Sequence, residues 1–383
     1  MKKRILLLTT GGTIASLPTD RGLSPGLNGT ALAGLLPQGV LEHYAITVRD
    51  ILHLDSSNIQ PEEWQTIARH VYENRTQYDG IVITHGTDTM AYTASVLSFM
   101  LQGIGVPVVL TGAQLPMTHP LTDGLDNLRT ALAMALALAC FFATWAVFGL
   151  RYELNDDAQL ANIAMGAYGE DTHHLVYVNV LLGWFLKPFY ALAANVNWYY
   201  FLQVAANVAA FGMLGTLCME RLGTRRGLLL YGGVLLAFGV DMFNSFQYTK
   251  NSALYLTVGL ALLASELGVW SLRTGTGLFW AVLGSMVRFQ NFFAVGGLAA
   301  ALLLWRFLCL EKRARLRALA AAVALFALVG AAKAVDLAAY STGGWRSFTE
   351  YNAARTEFSD FKIYSYTDKT QIEALGYTAN DFD

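Results

Sequence analysis

Residues Ile81–Met90 read IVITHGTDTM. Three β-branched apolar residues and a threonine form a run too short for a helix, and a dense polar group follows it, with two further threonines, one histidine and one carboxylate. That pattern is a buried strand delivering chemistry at its carboxyl end, where open α/β sheets bind their ligands.

Working outward, the pattern repeats. Arg4–Thr10 (RILLLTT) reads as a buried parallel strand, and Gly11-Gly12 forces a tight turn that presents Thr13. Pro18, Gly22, Pro25 and Gly26 fall within Ala15–Asn28, which predicts a mobile loop rather than an element. Thr30–Leu36 reads as a short helix and Ala45–Arg49 as a second strand, followed by the polar loop Asp55-Ser56-Ser57-Asn58. Pro61-Glu62-Glu63 opens a helix running to Arg75, with Pro in its first turn and acids at the positive end of its dipole. Gly80–Thr84 is then the third strand, Asp88–Gln102 a helix, and Val108–Thr111 the fourth strand. Strand and helix alternate, which predicts a doubly wound parallel α/β sheet. Thr10–Thr13, Asp55–Asn58 and His85–Thr89 then share one sheet edge. A threonine hydroxyl there becomes a nucleophile only beside a base; taken singly, Thr13 also reads as a turn residue and Asp88 as a helix cap.

Four motifs in this stretch, TTGGTIAS at Thr9–Ser16, LDSSN at Leu54–Asn58, THGTDTMAYTA at Thr84–Ala94 and LTGAQLP at Leu110–Pro116, together resemble the bacterial-type L-asparaginases, nearest the cytoplasmic type. The resemblance covers about residues 3–134. It implies hydrolysis of the side-chain amide of asparagine to aspartate and ammonia, without metal or organic cofactor, and leaves the preference between asparagine and glutamine open. Carried over by motif, Thr13 is the acylated nucleophile, Thr87 and Asp88 form a second hydroxyl–carboxylate pair, and Asp55 and Ser56 bind the charged groups of the amino acid. Backbone N–H groups near Gly12 and Thr87 are the candidate oxyanion donors. Two positions depart from the family pattern. Leu23 stands in the loop where the family often carries a tyrosine, and after Lys3 the next lysine is Lys187, so the lysine that completes the family's Thr/Asp pair has no counterpart. The family's smaller carboxyl-terminal domain has none either.

Near Thr130 the character of the chain changes. Residues 1–130 hold 8 Lys and Arg against 11 Asp and Glu, whereas residues 131–340 hold only 14 and 10 over a longer stretch. Ala131–Leu150 has no charged residue and is long enough to cross a hydrocarbon core of roughly 30 Å. Apolar segments follow at Leu175–Ala194, Trp198–Met219, Leu228–Phe243, Ala253–Trp270, Gly277–Val287, Phe292–Leu310 and Leu316–Leu337. The expected organisation is therefore an asparaginase-like α/β domain over 1–130, an all-α polytopic membrane domain over 131–340 and an exoplasmic tail over 341–383. The continuous helix expected at the seam must leave the sheet for lipid, with no Pro, Gly or Ser-rich linker between the two parts.

The basic loops at Arg221, Arg225 and Arg226, at Arg273, and at Lys312, Arg313, Arg315 and Arg317 belong on the cytoplasmic side. Alternation then requires that Leu175–Ala194 not span fully. The amino-terminal apolar run is too short for a signal peptide, which keeps the asparaginase-like domain cytoplasmic in a multi-pass plasma-membrane protein. Paired acids at Asp156 and Asp157, just past the first span, resemble the outer-loop acids of lipid-linked-sugar (GT-C) glycosyltransferases; a surface-helix start is the plainer reading. Three functions follow: a membrane-tethered amidohydrolase, a truncated transferase, or an inactive chimeric fragment.

The expected partners are a small amide substrate and the bilayer, a homo-oligomer is compatible, and with a net charge of −2 and no basic stripe nucleic acid is excluded. Cys140, Cys218 and Cys309 lie in apolar runs without metal-ligand spacing and read as packing residues.

Overall fold

The computed structural model describes residues 3–19, 22–34, 44–119, 122–149, 151–152, 155–168 and 172–356. Four strands, β1 (Lys3–Gly11), β4 (Tyr44–Leu54), β5 (Gly80–Thr84) and β6 (Val108–Thr111), form one parallel sheet in the order β4-β1-β5-β6. Ile5 pairs with Gly80 and Thr9 with Thr84, so β1 and β5 end level with each other. The chain leaves β1 toward one side for β4 and returns past it for β5. The crevice between the carboxyl ends of β1 and β5 is thus the topological switch point, the place where such sheets bind ligands.

Strand periodicity divides the apolar residues between the two faces. Leu6, Leu8, Ile81 and Ile83 pack against Ile67 and Val71 of helix Pro61–Asn74 and Leu97 of helix Met90–Met100. Ile5, Leu7, Val82 and Val109 pack on the other face against Leu128, Ala131, Leu132 and Ala135 of helix Gly124–Phe148. Both faces are covered, which is why β5 reads as a continuous apolar run.

The loop predicted over Ala15–Asn28 is instead an antiparallel ribbon, β2 (Ser16–Thr19) with β3 (Gly22–Pro25). Its two prolines are tolerated because a two-stranded ribbon has an unpaired edge on each strand, where a missing N–H breaks no ladder bond. The side chain of Leu23 lies outside the described residues, as do residues 357–383 of the expected tail; within that tail Gly343–Thr356 is helical.

The remainder is mostly helical. Among the described residues five helices are long and apolar enough to cross a membrane: Gly124–Phe148, Trp198–Leu222, Arg225–Asn244, Phe289–Leu308 and Lys312–Tyr340. Val180–Leu192, expected not to span, has 13 residues and reaches only about 20 Å. Tyr248–Ser265 and Leu272–Val287 do not meet the length and apolarity of the five, yet they run the depth of the bundle. At one end Arg221 Nη2 donates to Ser265 O (2.6 Å), Arg273 pairs with Glu220, and Gly268 lies against Ala314. At the other end Tyr248 N–H donates to Asp157 (3.1 Å), Arg288 meets the Tyr248 hydroxyl, and Val176 N–H donates to Tyr340 Oη (2.8 Å).

At the seam the expected continuous helix is present, but it packs on the sheet and on the bundle together. Residue 130 falls inside helix Gly124–Phe148, whose first half lies on the sheet while Ala133 and Met134 meet Gly215 and Gly212 of helix Trp198–Leu222. One apolar core runs without interruption from Ile5 and Val82 through Ala133 to Phe211 and Tyr231. Small residues at 133, 135, 212 and 215 let three layers approach closely, and this packing takes the place of a linker.

Candidate active site at the carboxyl edge of the sheet

Gly11 and Gly12 carry the chain over the end of β1 with φ of 99° and 74°, a region L side chains avoid. Gly12 N–H donates to Leu54 O (3.0 Å), fastening this turn to the end of β4. A Cβ on Gly12 would stand 2.5 Å from both the Cα and the N of Gly86, so the two backbones touch across the switch point. Thr13 opens the 3-10 turn Thr13–Ala15 immediately beyond, and Thr87 follows Gly86. This contact juxtaposes the expected nucleophile with the expected hydroxyl–carboxylate pair. Thr13 and Thr87 are half-buried and Asp88 is exposed.

The loop after β4 closes the third side. A Cβ on Gly86 would run into the Ser56 hydroxyl, and Thr89 Oγ1 donates to Ser56 O (2.8 Å). Ser56 is buried while Asp55 faces solvent. Asp55 Oδ1 accepts both the N–H (3.0 Å) and the hydroxyl (2.8 Å) of Ser57, and these bonds hold its carboxyl below the usual range, so it stays ionised. Its second oxygen has no hydrogen-bond partner among the described residues.

One oxyanion assignment needs correction. Gly12 N–H is engaged by Leu54 O, so it cannot also face a reacting oxygen; the neighbouring N–H of Thr13 has no carbonyl partner among the described residues. On the other side the Thr87 N–H is equally unengaged among the described residues. His85 sets its direction. His85 is fully buried, its Nδ1 lies 2.7 Å from Gly86 O, and only a protonated Nδ1 can bond a carbonyl. In a trans peptide the following N–H points the opposite way, so this bond turns the Thr87 N–H away from the histidine. Burial pushes the His85 pKa down, against the smaller opposing effect of the Gly86 carbonyl, and keeps the ring neutral.

The loop after β6 is the fourth wall. Gly112 passes so near that a Cβ there would stand 2.5 Å from His85 O and 3.3 Å from Thr87 Cγ2. Sequence reasoning missed both His85 and the residues that secure this wall. His85 stands inside the quoted motif, but nothing in its type says which way a histidine ring will turn.

The remaining expected residues lie elsewhere. Lys187 is exposed on helix Val180–Leu192, in the helical region and not in the sheet domain. Asp157 is fully buried and accepts from the Tyr199 hydroxyl (3.0 Å) and the Tyr248 N–H, so it ties three segments together; Asp156 beside it is half-buried. Among the described residues no group of three or more His, Cys, Asp or Glu is placed to hold a metal ion.

Comparison with known proteins agrees with the geometry for the first part of the chain. Residues 4–148 match the family model "Asparaginase, N-terminal". The L-asparaginase of Thermococcus kodakarensis is 52% identical over 132 residues, 34% of this chain and 40% of that protein. L-asparaginase 1 of Escherichia coli is 45% identical over 138 residues, covering 35% and 40%. One subunit of the glutamyl-tRNA(Gln) amidotransferase of Thermoplasma acidophilum is 38% identical over 135 residues, covering 35% and 32%. The chain is thus similar to the asparaginases over its amino-terminal domain alone, spans two fifths or less of the length of these relatives, and continues as a mostly helical region.

Proposed function

We propose that the sheet domain is an asparaginase-type amidohydrolase with Thr13 as nucleophile. The observation that supports this reading is the contact of Gly12 with Gly86, the residues that immediately precede Thr13 and Thr87. Asp55, with an oxygen free for an ammonium group, and Ser56 hold the charged groups of the amino acid. Thr13 Oγ1 adds to the carboxamide carbon. Its proton passes by way of the Thr87 hydroxyl and the Asp88 carboxylate to the departing nitrogen, while the N–H groups of Thr13 and Thr87 face the oxyanion. Ammonia leaves, and water cleaves the acyl-threonine to give aspartate. No lysine stands beside the pair among the described residues, so Thr87 and Asp88 carry the proton alone. The relatives point to two substrates, asparagine and a glutamine-type amide, and both present the same carboxamide.

The test is ammonia release from asparagine by the full chain. Thr13→Ala is expected to reduce the rate roughly a hundredfold or more. Equal rates in the two proteins would sink the proposal, and a rate of zero in both would favour the inactive-fragment reading, to which the absent lysine already points.

We further propose that the helical region spans the plasma membrane, with the sheet on its cytoplasmic side and the stretch beyond Tyr340 outside. Side chains such as Leu298 (86% exposed) and Phe326 (62%) stand bare on the outer helices, which suits lipid and not water. The bundle end that carries Arg221, Arg273 and Ala314 is also the end where Thr216 meets the sheet-covering helix. Basic loops and sheet therefore lie together, as the positive-inside rule requires of a cytoplasmic face.

A further inference from the structure

Asp123 stands at the N-cap of helix Gly124–Phe148, where an aspartate ordinarily accepts from the first-turn N–H groups of its own helix. Here it makes no such cap. Its carboxylate is turned toward the loop after β6, where it accepts Gln114 N–H (3.0 Å to each oxygen) and Leu115 N–H (3.1 Å). The cap is supplied instead by Thr122, whose hydroxyl accepts Gly124 N–H (3.0 Å) and donates to Leu115 O (3.0 Å). Asn127, one turn further, donates from Nδ2 to both Gly112 O and Asp123 Oδ2 (2.9 Å each). Four bonds from three residues of one helix start therefore converge on residues 112–115, the stretch whose backbone rests against Thr87.

We infer that Asp123 is a positioning residue: with Asn127 it fixes the Gly112–Leu115 wall of the site and, through that wall, the placement of Thr87. Two consecutive N–H groups aimed at one carboxylate define the course of a loop, because a charge-assisted acceptor with two oxygens fixes both direction and distance. The same helix carries Ala133 and Met134 in the core shared with the bundle, so the wall hangs from an element anchored on both sides.

Hydrogen exchange on the full chain tests this without requiring turnover. In Asp123→Asn, one N–H donor replaces an acceptor, and the amides of Gln114 and Leu115 are expected to exchange about ten- to hundredfold faster, with Ile81–Ile83 of β5 unchanged. Asn127→Leu, which leaves Asp123 in place, should raise the same amides by a smaller factor and serves if Asp123→Asn does not fold. Unchanged exchange at Gln114 and Leu115, or an equal rise throughout β1 and β5, would overturn the assignment, since the second outcome is that of a residue supporting only the fold. A ligand arm rests on the amidohydrolase reading: L-aspartate, measured by calorimetry, should bind at least tenfold more weakly to Asp123→Asn than to wild type. Wild type that takes up no L-aspartate would count against that reading, while the exchange result would still decide the positioning role.

Discussion

The hydroxyl of Thr216 donates to the hydroxyl of Thr130 across 3.0 Å, joining the helix that covers the sheet to the second helix of the bundle. The same hydroxyl lies 2.9 Å from Gly212 O, an alternative acceptor for its single hydrogen, and the preceding residue, Gly215, admits the ring of Tyr231, whose own hydroxyl reaches Ala133 O (3.0 Å). Polar and apolar contacts thus alternate along one seam. A Cβ on Gly215 would stand 2.7 Å from Tyr231 and 2.9 Å from Ala133, so there is no room for a side chain.

Gly215→Val should therefore destabilise both parts of the chain at once, by about 1–3 kcal/mol for overpacking a closed interface. Hydrogen exchange would read it as a joint loss of protection in Ile81–Ile83 and in helix Trp198–Leu222. Loss confined to the bundle would show that the sheet stands on its own.

Two glycines of positive φ differ in what surrounds them. Gly12 has φ 74° and Gly103 has φ 70°, so alanine at either position costs about 1 kcal/mol or more of backbone strain. Only Gly12 is crowded: nothing lies within 4 Å of a Cβ on Gly103, whereas one on Gly12 meets the Gly86 backbone. Gly12→Ala is expected to lower ammonia release roughly a hundredfold, because sub-ångström misplacement of a nucleophile has costs of that order. Gly103→Ala should leave the rate within about twofold. Similar losses in both would attribute the effect to strain alone.

The difference between these glycines marks what the sequence could and could not reveal. The alternation of strand and helix, the Gly-Gly turn before Thr13 and the polar ends of the strands are local patterns, and local patterns determine the order of elements along a sheet. The turn of His85 beneath Gly86, the engagement of Gly12 N–H by Leu54, and the choice of Asp123 to hold a loop rather than its own helix are matters of three-dimensional competition between partners. Residue type restricts such a choice without making it. The seam illustrates the same limit in the helices: Ala131–Leu150 reads as a span because it is uniformly apolar, yet an apolar sheet face accepts that surface as readily as lipid does. The ribbon at Ser16–Pro25 was hidden because proline and glycine signal loops and unpaired edges alike.

The buried histidine gives the fold a defined response to acid. Its folded-state pKa lies below the ordinary 6.5, so above that pH both folded and unfolded chains hold it neutral and its contribution to stability is fully present. As pH falls below 6.5 the unfolded chain takes up the proton first, and stability is lost progressively toward the lower folded value. His85→Gln should flatten the dependence of Tm on pH between about 6.5 and 5. The carboxylates act in a separate window, since Asp55 is held below its ordinary 3.8 by the N–H and hydroxyl of Ser57 and loses its contribution only in stronger acid. For Asp123 burial pushes the carboxyl up, but the N–H groups of Gln114 and Leu115 with Asn127 outweigh it, which places its loss in the same acid range. An unchanged slope in His85→Gln would mean that another histidine governs the near-neutral limb.

The native cysteines offer a direct reading of orientation. Cys309 is exposed and lies three residues before Lys312, at the bundle end that holds the basic loops, while Gln290 is exposed at the opposite end, two residues beyond Arg288. With Cys140 and Cys218 replaced by alanine, an impermeant thiol reagent applied to intact cells should leave Cys309 unlabelled until the membrane is opened. A Gln290→Cys variant lacking Cys309 should be labelled without opening. The opposite pattern would put the sheet and its threonines outside the cell. Labelling of both positions in intact cells would mean that the bundle does not span the bilayer, and the bare apolar faces of Phe289–Leu308 and Lys312–Tyr340 would then require a protein partner in place of lipid.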